Sequence, residues 1–205
     1  MNEKQKNYPL IKSKKLLNED NNAKTVKGQK LNYMTAILYL ASSDNSGFNV
    51  CSEASEGCRL ACLYSAGHGA FTNVQNGRIN KTRWYFLERE TFLIQLKKEI
   101  SAFIVKAEKK GFKPCIRLNG TSDIPWENHD IIQSFPNVQF YDYSKSYKRA
   151  LKFINGELPK NFKGFNVLNA DETDLRFLDI KNSICGLVAK GKAKKDYSGF
   201  VLDTQ

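Results

Sequence analysis

The sequence predicts an α/β fold, and two patterns predict it. Short apolar runs suited to buried strands each end in a polar loop, and amphipathic helical stretches separate them. Parallel strands joined by helical crossovers bury both faces of a sheet and gather the strand C-termini on one edge, where ligands bind. Six strands are expected, arranged either as an open partial barrel or as an open doubly wound parallel sheet. With 205 residues, one such domain with a substantial core accounts for the chain.

The elements follow in order. Residues 1–30 are rich in Lys, Asn and Glu without periodicity and read as a basic N-terminal arm, leaving 31–205 as a single β/α domain. YMTAILYLA, at 33–41, is a dense apolar run that suits a buried first strand. A cysteine-bearing loop comes next, with a helix expected from about Gly57 to 67–69, where SAGHG tolerates left-handed backbone angles. Leu93, Leu96, Ile100, Phe103, Ile104 and Ala107 recur at three- and four-residue intervals, which predicts one long helix over 80–110 stopped by Gly111. KPCIRL, at 113–118, is the second strand and delivers NGTSD. A helix over 127–134, a strand over 138–141 ending in DYSKS, and a helix over 147–153 follow. Strands at 165–168, 184–189 and 199–202 complete the set, with NADETD and KGKAKK after the first two of these.

The chemistry is concentrated in CSEASEGCRLAC, which spaces Cys51, Cys58 and Cys62 as Cys-x6-Cys-x3-Cys. Three thiols in one short window point to a metal or cluster site. On a helix beginning near Gly57, Cys58 and Cys62 project from one face a turn apart, and Cys51 reaches them from the preceding loop. Soft thiolates suit a [4Fe-4S] cluster or, as the alternative, Zn, and three ligands leave one coordination position open. His68 is the nearest fourth donor and would make a Cys3His zinc site, but in SAGHG it reads as a turn or ligand-pocket residue. Cys115 and Cys185 lie inside apolar strand patterns and read as small core residues.

Composition narrows the function classes. Hydrophobic residues make up 41% and mean hydropathy is −0.50, with no apolar run near the roughly 20 residues a membrane span needs. The N-terminus lacks the apolar region of a secretory signal, so a cytoplasmic location is expected. Five cysteines, clustered rather than dispersed, do not form a disulfide framework. The net charge of +11 favours nucleic acid or an acidic protein as partner. No P-loop pattern and no Ser/His/Asp arrangement is present, and two histidines rule out a histidine-rich metal centre.

The remaining candidates sit on the predicted ligand edge. Asp123 is placed to bind a cofactor amine, to act as a base or to cap its turn, and Asn119 to orient the same group. Arg117, inside a strand, needs an acid or an anionic ligand. Tyr141, Asp142 and Lys145 form a mixed set suited to a phosphate or carboxylate, as well as to a surface ion pair. Lys190 and Lys192, with Gly191 between them, are placed to receive phosphate. Asp171, Glu172 and Asp174 have the composition of a helix N-terminus as much as of a pocket wall.

LNYMTAILYLASSDNSGFNVCSEASEGCRLACLYSAGHG, CIRLNGTSDIPWE, FYDYSKS, DETDLRFLD and GLVAKGKA, in that order, resemble the gene product 88 family of bacteriophages from about residue 31 onward. That resemblance implies a phage-encoded protein in the host cytoplasm and implies no particular chemistry. The order strand, three-cysteine loop, helix also resembles radical S-adenosylmethionine enzymes, whose usual spacing is Cys-x3-Cys-x2-Cys. This second resemblance implies a partial (β/α)6 barrel and a cluster with one iron open to S-adenosylmethionine. It places NGTSD, with Asn119 and Asp123, at the cofactor-binding loop. Together they point to an iron-sulfur enzyme modifying nucleic acid or a nucleotide. The alternative is a non-catalytic metal-stabilised binding protein, an inhibitor of a host nucleic-acid or defence factor.

Overall fold

The computed structural model describes residues 9–19, 28–60, 62–165, 168–170 and 185–187. They form a mixed α/β fold with a five-stranded sheet. Its strands are β1 (Leu17–Glu19), β2 (Tyr33–Leu38), β3 (Lys113–Arg117), β4 (Gln139–Tyr143) and β5 (Phe162–Phe165), side by side in that order. β1 is antiparallel to β2, while β2 to β5 are mutually parallel. The parallel strands follow chain order, so the reversal that defines a doubly wound sheet does not occur among them. β6 (Leu168–Ala170) and β7 (Cys185–Leu187) pair with each other in a separate two-stranded sheet. The expected strand at 165–168 is therefore two strands in different sheets, and no barrel is seen among the described residues. The expected strand at 199–202 lies outside them.

Four helices are described: α1 (Glu56–Leu60), α2 (Thr72–Leu87), α3 (Arg89–Lys109) and α4 (Tyr147–Ile154). The predicted stripe is the buried face of α3, where Phe92, Leu96, Ile100, Phe103 and Ala107 join a core with Met34, Ala36, Leu38, Ile116 and Phe140. Each fully buried side chain of this kind contributes about 1.5–3 kcal/mol. The predicted single helix over 80–110 is two helices. At Glu88 the backbone leaves the helical region (φ −136°, ψ 61°), and the Thr91 hydroxyl donates to the Glu88 carbonyl while accepting the Trp84 indole N–H. Gly111, at φ 74°, makes the expected stop.

Two further expectations change. The helix expected over 127–134 is a single 3-10 turn at Trp126–Asn128 followed by turns. The Asn161 amide donates to the carbonyls of Ile132, Phe135 and Val138, tying these turns to the start of β5. Within the predicted arm, Leu16 and Leu17 are fully buried and lead into the edge strand β1. Glu99 of α3 accepts both of their N–H groups, and Lys81 of α2 donates to the Leu16 carbonyl. Among the described residues, no helix is long and apolar enough to cross a membrane.

Candidate metal centre

The loops after β2, β3 and β4 meet at one edge of the sheet. Gly120 N–H donates to the Leu38 carbonyl, the Thr121 hydroxyl to the Leu40 carbonyl, and Asp123 N–H to the Val50 carbonyl. These bonds clamp NGTSD against the chain that leads into the cysteines. Gly120 is required there, because a Cβ would lie 2.5 Å from the Tyr39 ring and 2.8 Å from the Leu38 carbonyl.

Cys51, Cys58 and Cys62 are half-buried and in no disulfide. Cys51 Sγ accepts the Ser43 N–H at 3.4 Å, and the Ser55 hydroxyl accepts the Cys58 N–H at the start of α1. α1 ends at Leu60 and Cys62 lies outside it, so the expectation that Cys58 and Cys62 share one continuous helix is not met. The three are nonetheless electrostatic neighbours. Burial first, and then the negative charges of Asp123, Cys62 and Cys58, push the Cys51 thiol up to about 11. Burial lowers Lys145, opposed by the attraction of Cys58, Asp123 and Cys51. Arg78 of α2 is likewise drawn toward Cys62. Among the described residues, no group of three or more His, Cys, Asp or Glu side chains is set around a common point to hold a metal ion. Thiols are donors of the type that soft metals take, but the three do not converge on one point here. Among the described residues, α1, with five residues and none buried, is the regular structure between the outer two thiols. His68 is exposed in a turn, edge-on to Phe71.

Behind the thiols lies a buried charge cluster that the sequence reading missed. Arg149 of α4, 8% exposed, holds Asp123 Oδ1 through Nη1 and both Glu127 oxygens through Nε (2.6 Å) and Nη2 (2.9 Å), with Asp142 Oδ2 3.7 Å away. Asp123 Oδ2 also accepts the Lys145 N–H at 2.7 Å. Burial raises Asp123 and outweighs Arg149's pull. Asp142 was placed in a loop, but it lies within β4 and is 2% exposed, with its oxygens accepting Tyr143 N–H and the Asn119 amide. Burial pushes it up to about 7, against Arg149 and Arg117. The available signal was a basic residue on the inward face of the helix at 147–153.

Asn119 is a buried organiser. Its Oδ1 accepts from Ser122, Ile124 N–H and the Trp126 indole, and its Nδ2 donates to the Ile124 carbonyl and Asp142. That occupies both ends of the amide within the protein. Among the described residues, Arg117 is seen to pair with no acid, though it acts on Asp142 through space. Its Nε donates to the Asn119 carbonyl at 2.9 Å and its guanidinium lies 4.4 Å from the Tyr143 ring centre. Tyr141 is half-buried beside Tyr143, and its hydroxyl is pushed upward by burial. Cys115 is a core residue as expected, and Trp84 and Trp126 are buried in the core as well. Lys190, Lys192, Asp171, Glu172 and Asp174 lie outside the described residues, as does the Cys185 side chain.

Comparison with curated proteins and with solved structures gives no match. A family model described as gene product 88 matches residues 12–203, a span that takes in β1, the cysteine loop and the charge cluster alike. The chain belongs to the gene product 88 family.

Proposed function

We propose that this phage-type protein is an iron-sulfur protein in which Cys51, Cys58 and Cys62 hold a [4Fe-4S] cluster, and that it acts in the host cytoplasm as a radical S-adenosylmethionine-like enzyme on nucleic acid or a nucleotide. The observation that carries the reading is the common electrostatic neighbourhood of the three thiols and Lys145 at the C-terminal edge of the sheet. The parallel strands in chain order suit the first arc of a partial barrel, with the cysteines following its first parallel strand. When bound, such a cluster supplies an electron and one open iron for the cofactor.

The chain's own residues supply charge and shape. Lys145 and Arg78 offset the negative charge of the thiolates, and Asn119 fixes the loop that packs over Cys51. Asp123, tied to Arg149 and the Lys145 backbone, acts here by positioning that loop. A second reading rests on the same bonds. With Asn119 and Asp123 engaged internally, Zn on the three thiols would serve to brace the edge of a non-catalytic binding protein.

Anaerobic purification followed by iron, sulfide and zinc analysis tests both. About four irons per chain, with S-adenosylmethionine cleaved by the reduced protein, supports the enzyme; one zinc in a colourless protein supports the second reading. Cys58→Ala loses the metal in either case. Unchanged metal content in that variant would sink the ligand assignment.

A further inference from the structure

The chain around the cysteines is anchored unevenly. Cys51 is held at the sheet edge, with its Sγ on the Ser43 N–H and its own N–H donating to Asn49 Oδ1 at 2.9 Å, next to the Val50 carbonyl that receives Asp123 N–H. α1, which carries Cys58, buries none of its residues and leaves Leu60 78% exposed. Beyond Cys62 the chain is held again. Tyr64 is buried, and the 3-10 turns at Leu63–Ser65 and Gly67–Ala70 fold back over its carbonyl so closely that a Cβ at Gly69 would lie 2.2 Å from that oxygen. Gln75 of α2 donates to the Gly69 carbonyl at 3.1 Å.

Arg78 of α2 fastens this lobe. Its Nη1 donates to the Tyr64 carbonyl at 2.9 Å, and its guanidinium lies 5.3 Å from the Tyr64 ring centre and 5.1 Å from that of Tyr39. Tyr39 directly follows Leu38, the last residue of β2, on the run that leads to Cys51. The turn of α2 that carries Arg78 is itself bolted to that run: the Thr82 hydroxyl donates to the Arg78 carbonyl and accepts the Ala41 N–H, each at 2.8 Å. One side chain thus joins the exit of β2 to the chain two residues after Cys62. The role suits arginine, because a planar guanidinium stacks on rings and donates from its edge at once, and an ammonium does not.

We infer that Arg78 positions the third thiol: by tying Tyr64 to Tyr39 it sets Cys62 in a fixed place relative to Cys51, and uptake of a metal then requires movement of the segment that carries Cys58. The spacing of the thiols divides the same way. Cys51 and Cys62 each adjoin a fastened run, at 50–51 and 64–69, and 52–60 is the length of chain left to close over the metal. A residue behind a metal ligand acts on affinity through that ligand, so its effect disappears when the ligand is removed. The consequence for affinity rests on the metal assignment proposed above; the anchoring of Cys62 does not.

Titration of the reduced full chain with Co²⁺, whose thiolate charge-transfer band reads the number of sulfur ligands, tests it. The parent shows the band of three thiolates. Arg78→Met binds about 10- to 100-fold more weakly, and its band falls toward that of Cys62→Ala. Arg78→Lys restores neither, since it keeps the charge without the stacked fork. In the Cys62→Ala background Arg78→Met makes no further difference to affinity, whereas a general loss of fold would add to it. Parent-like affinity and band in Arg78→Met or Arg78→Lys, or an additive loss in the double variant, overturns the inference. A parent that takes up no Co²⁺ speaks against the metal assignment, and amide exchange then decides the anchoring. Gly69 and Phe71, whose N–H groups donate to the Ala66 and His68 carbonyls, exchange faster in Arg78→Met while Gly120 and Asp123 stay protected. Unchanged exchange at Gly69 and Phe71, or equal loss of protection at Gly120 and Asp123, overturns it.

Discussion

Asp142→Asn is the perturbation whose consequence follows most directly from the buried cluster. Burial raises this carboxyl from an ordinary 3.8 to about 7, with Arg149 and Arg117 opposing and Asp123 assisting the shift. The folded protein therefore keeps a proton that the unfolded chain has released between about pH 4 and about pH 7. Stability from that proton is complete below about pH 4 and is lost as pH rises through about 7. A shift of about three units corresponds to about 4 kcal/mol. The amide cannot ionise, so the variant escapes this loss, but it cannot accept at both ends. One of two buried donors, Tyr143 N–H or the Asn119 amide, is left unpaired, at a cost of about 1–3 kcal/mol.

The two effects have opposite pH dependence. Urea unfolding under reducing conditions should find Asp142→Asn less stable than the parent protein at pH 5 and level with it or more stable at pH 8.5. Taking the difference between the two proteins cancels the groups that do not interact with Asp142. A constant difference across pH 5 to 8.5 would mean that Asp142 does not change protonation there, and the reading of the cluster would fail.

Other perturbations act on neighbouring parts of the same edge. Arg149→Met strands Asp123, Glu127 and Asp142 without their cation and should cost about 3–5 kcal/mol in urea unfolding. Gly120→Ala drives a Cβ into the Tyr39 ring and the Leu38 carbonyl and should lower stability by about 1–3 kcal/mol in a thermal melt. In the metal-free protein at pH 8, Cys51 should alkylate about 100-fold more slowly than an ordinary cysteine, because its thiol is raised from 9.0 to about 11; peptide mapping after brief iodoacetamide treatment reads this directly.

What the sequence disclosed depended on how local the signal was. Although the spacing set its start at Leu93 and the buried residue there is Phe92, most of the α3 stripe, Leu96, Ile100, Phe103 and Ala107, was readable from spacing alone. The break at Glu88 was not, because the cause is a side-chain bond from Thr91 rather than a glycine or proline. Asp142 was misplaced by a strand end set two residues short, which turned a buried carboxylate into a loop residue. Arg149 escaped notice because its partners are 22 and 26 residues away, and only the fold brings β4, the NGTSD loop and α4 together. The three cysteines were legible as a group through their spacing. That Cys51 lies in a loop, Cys58 in a short helix and Cys62 outside that helix was not, since the stability of so short a helix depends on its tertiary surroundings.

The same electrostatics bear on how a metal would enter the site. Three thiolates beside Asp123 would bring four negative charges together, while Arg149, the strongest nearby cation, is engaged by the buried carboxylates. Arg78 and Lys145 are drawn toward the thiols, but burial already weakens the charged form of both. The metal-free balance therefore favours a protonated Cys51. A bound cation reverses it, so metal loading must expel protons and bind more tightly as pH rises. The loop bearing the thiols has little buried structure to resist rearrangement, whereas NGTSD beneath it is clamped by Asn119 and Arg149. Closure around a metal would then consist of the cysteine loop moving onto a fixed floor, and amide exchange should slow on metal binding at 51–60 while the Asn119 and Ile124 amides stay as protected as before.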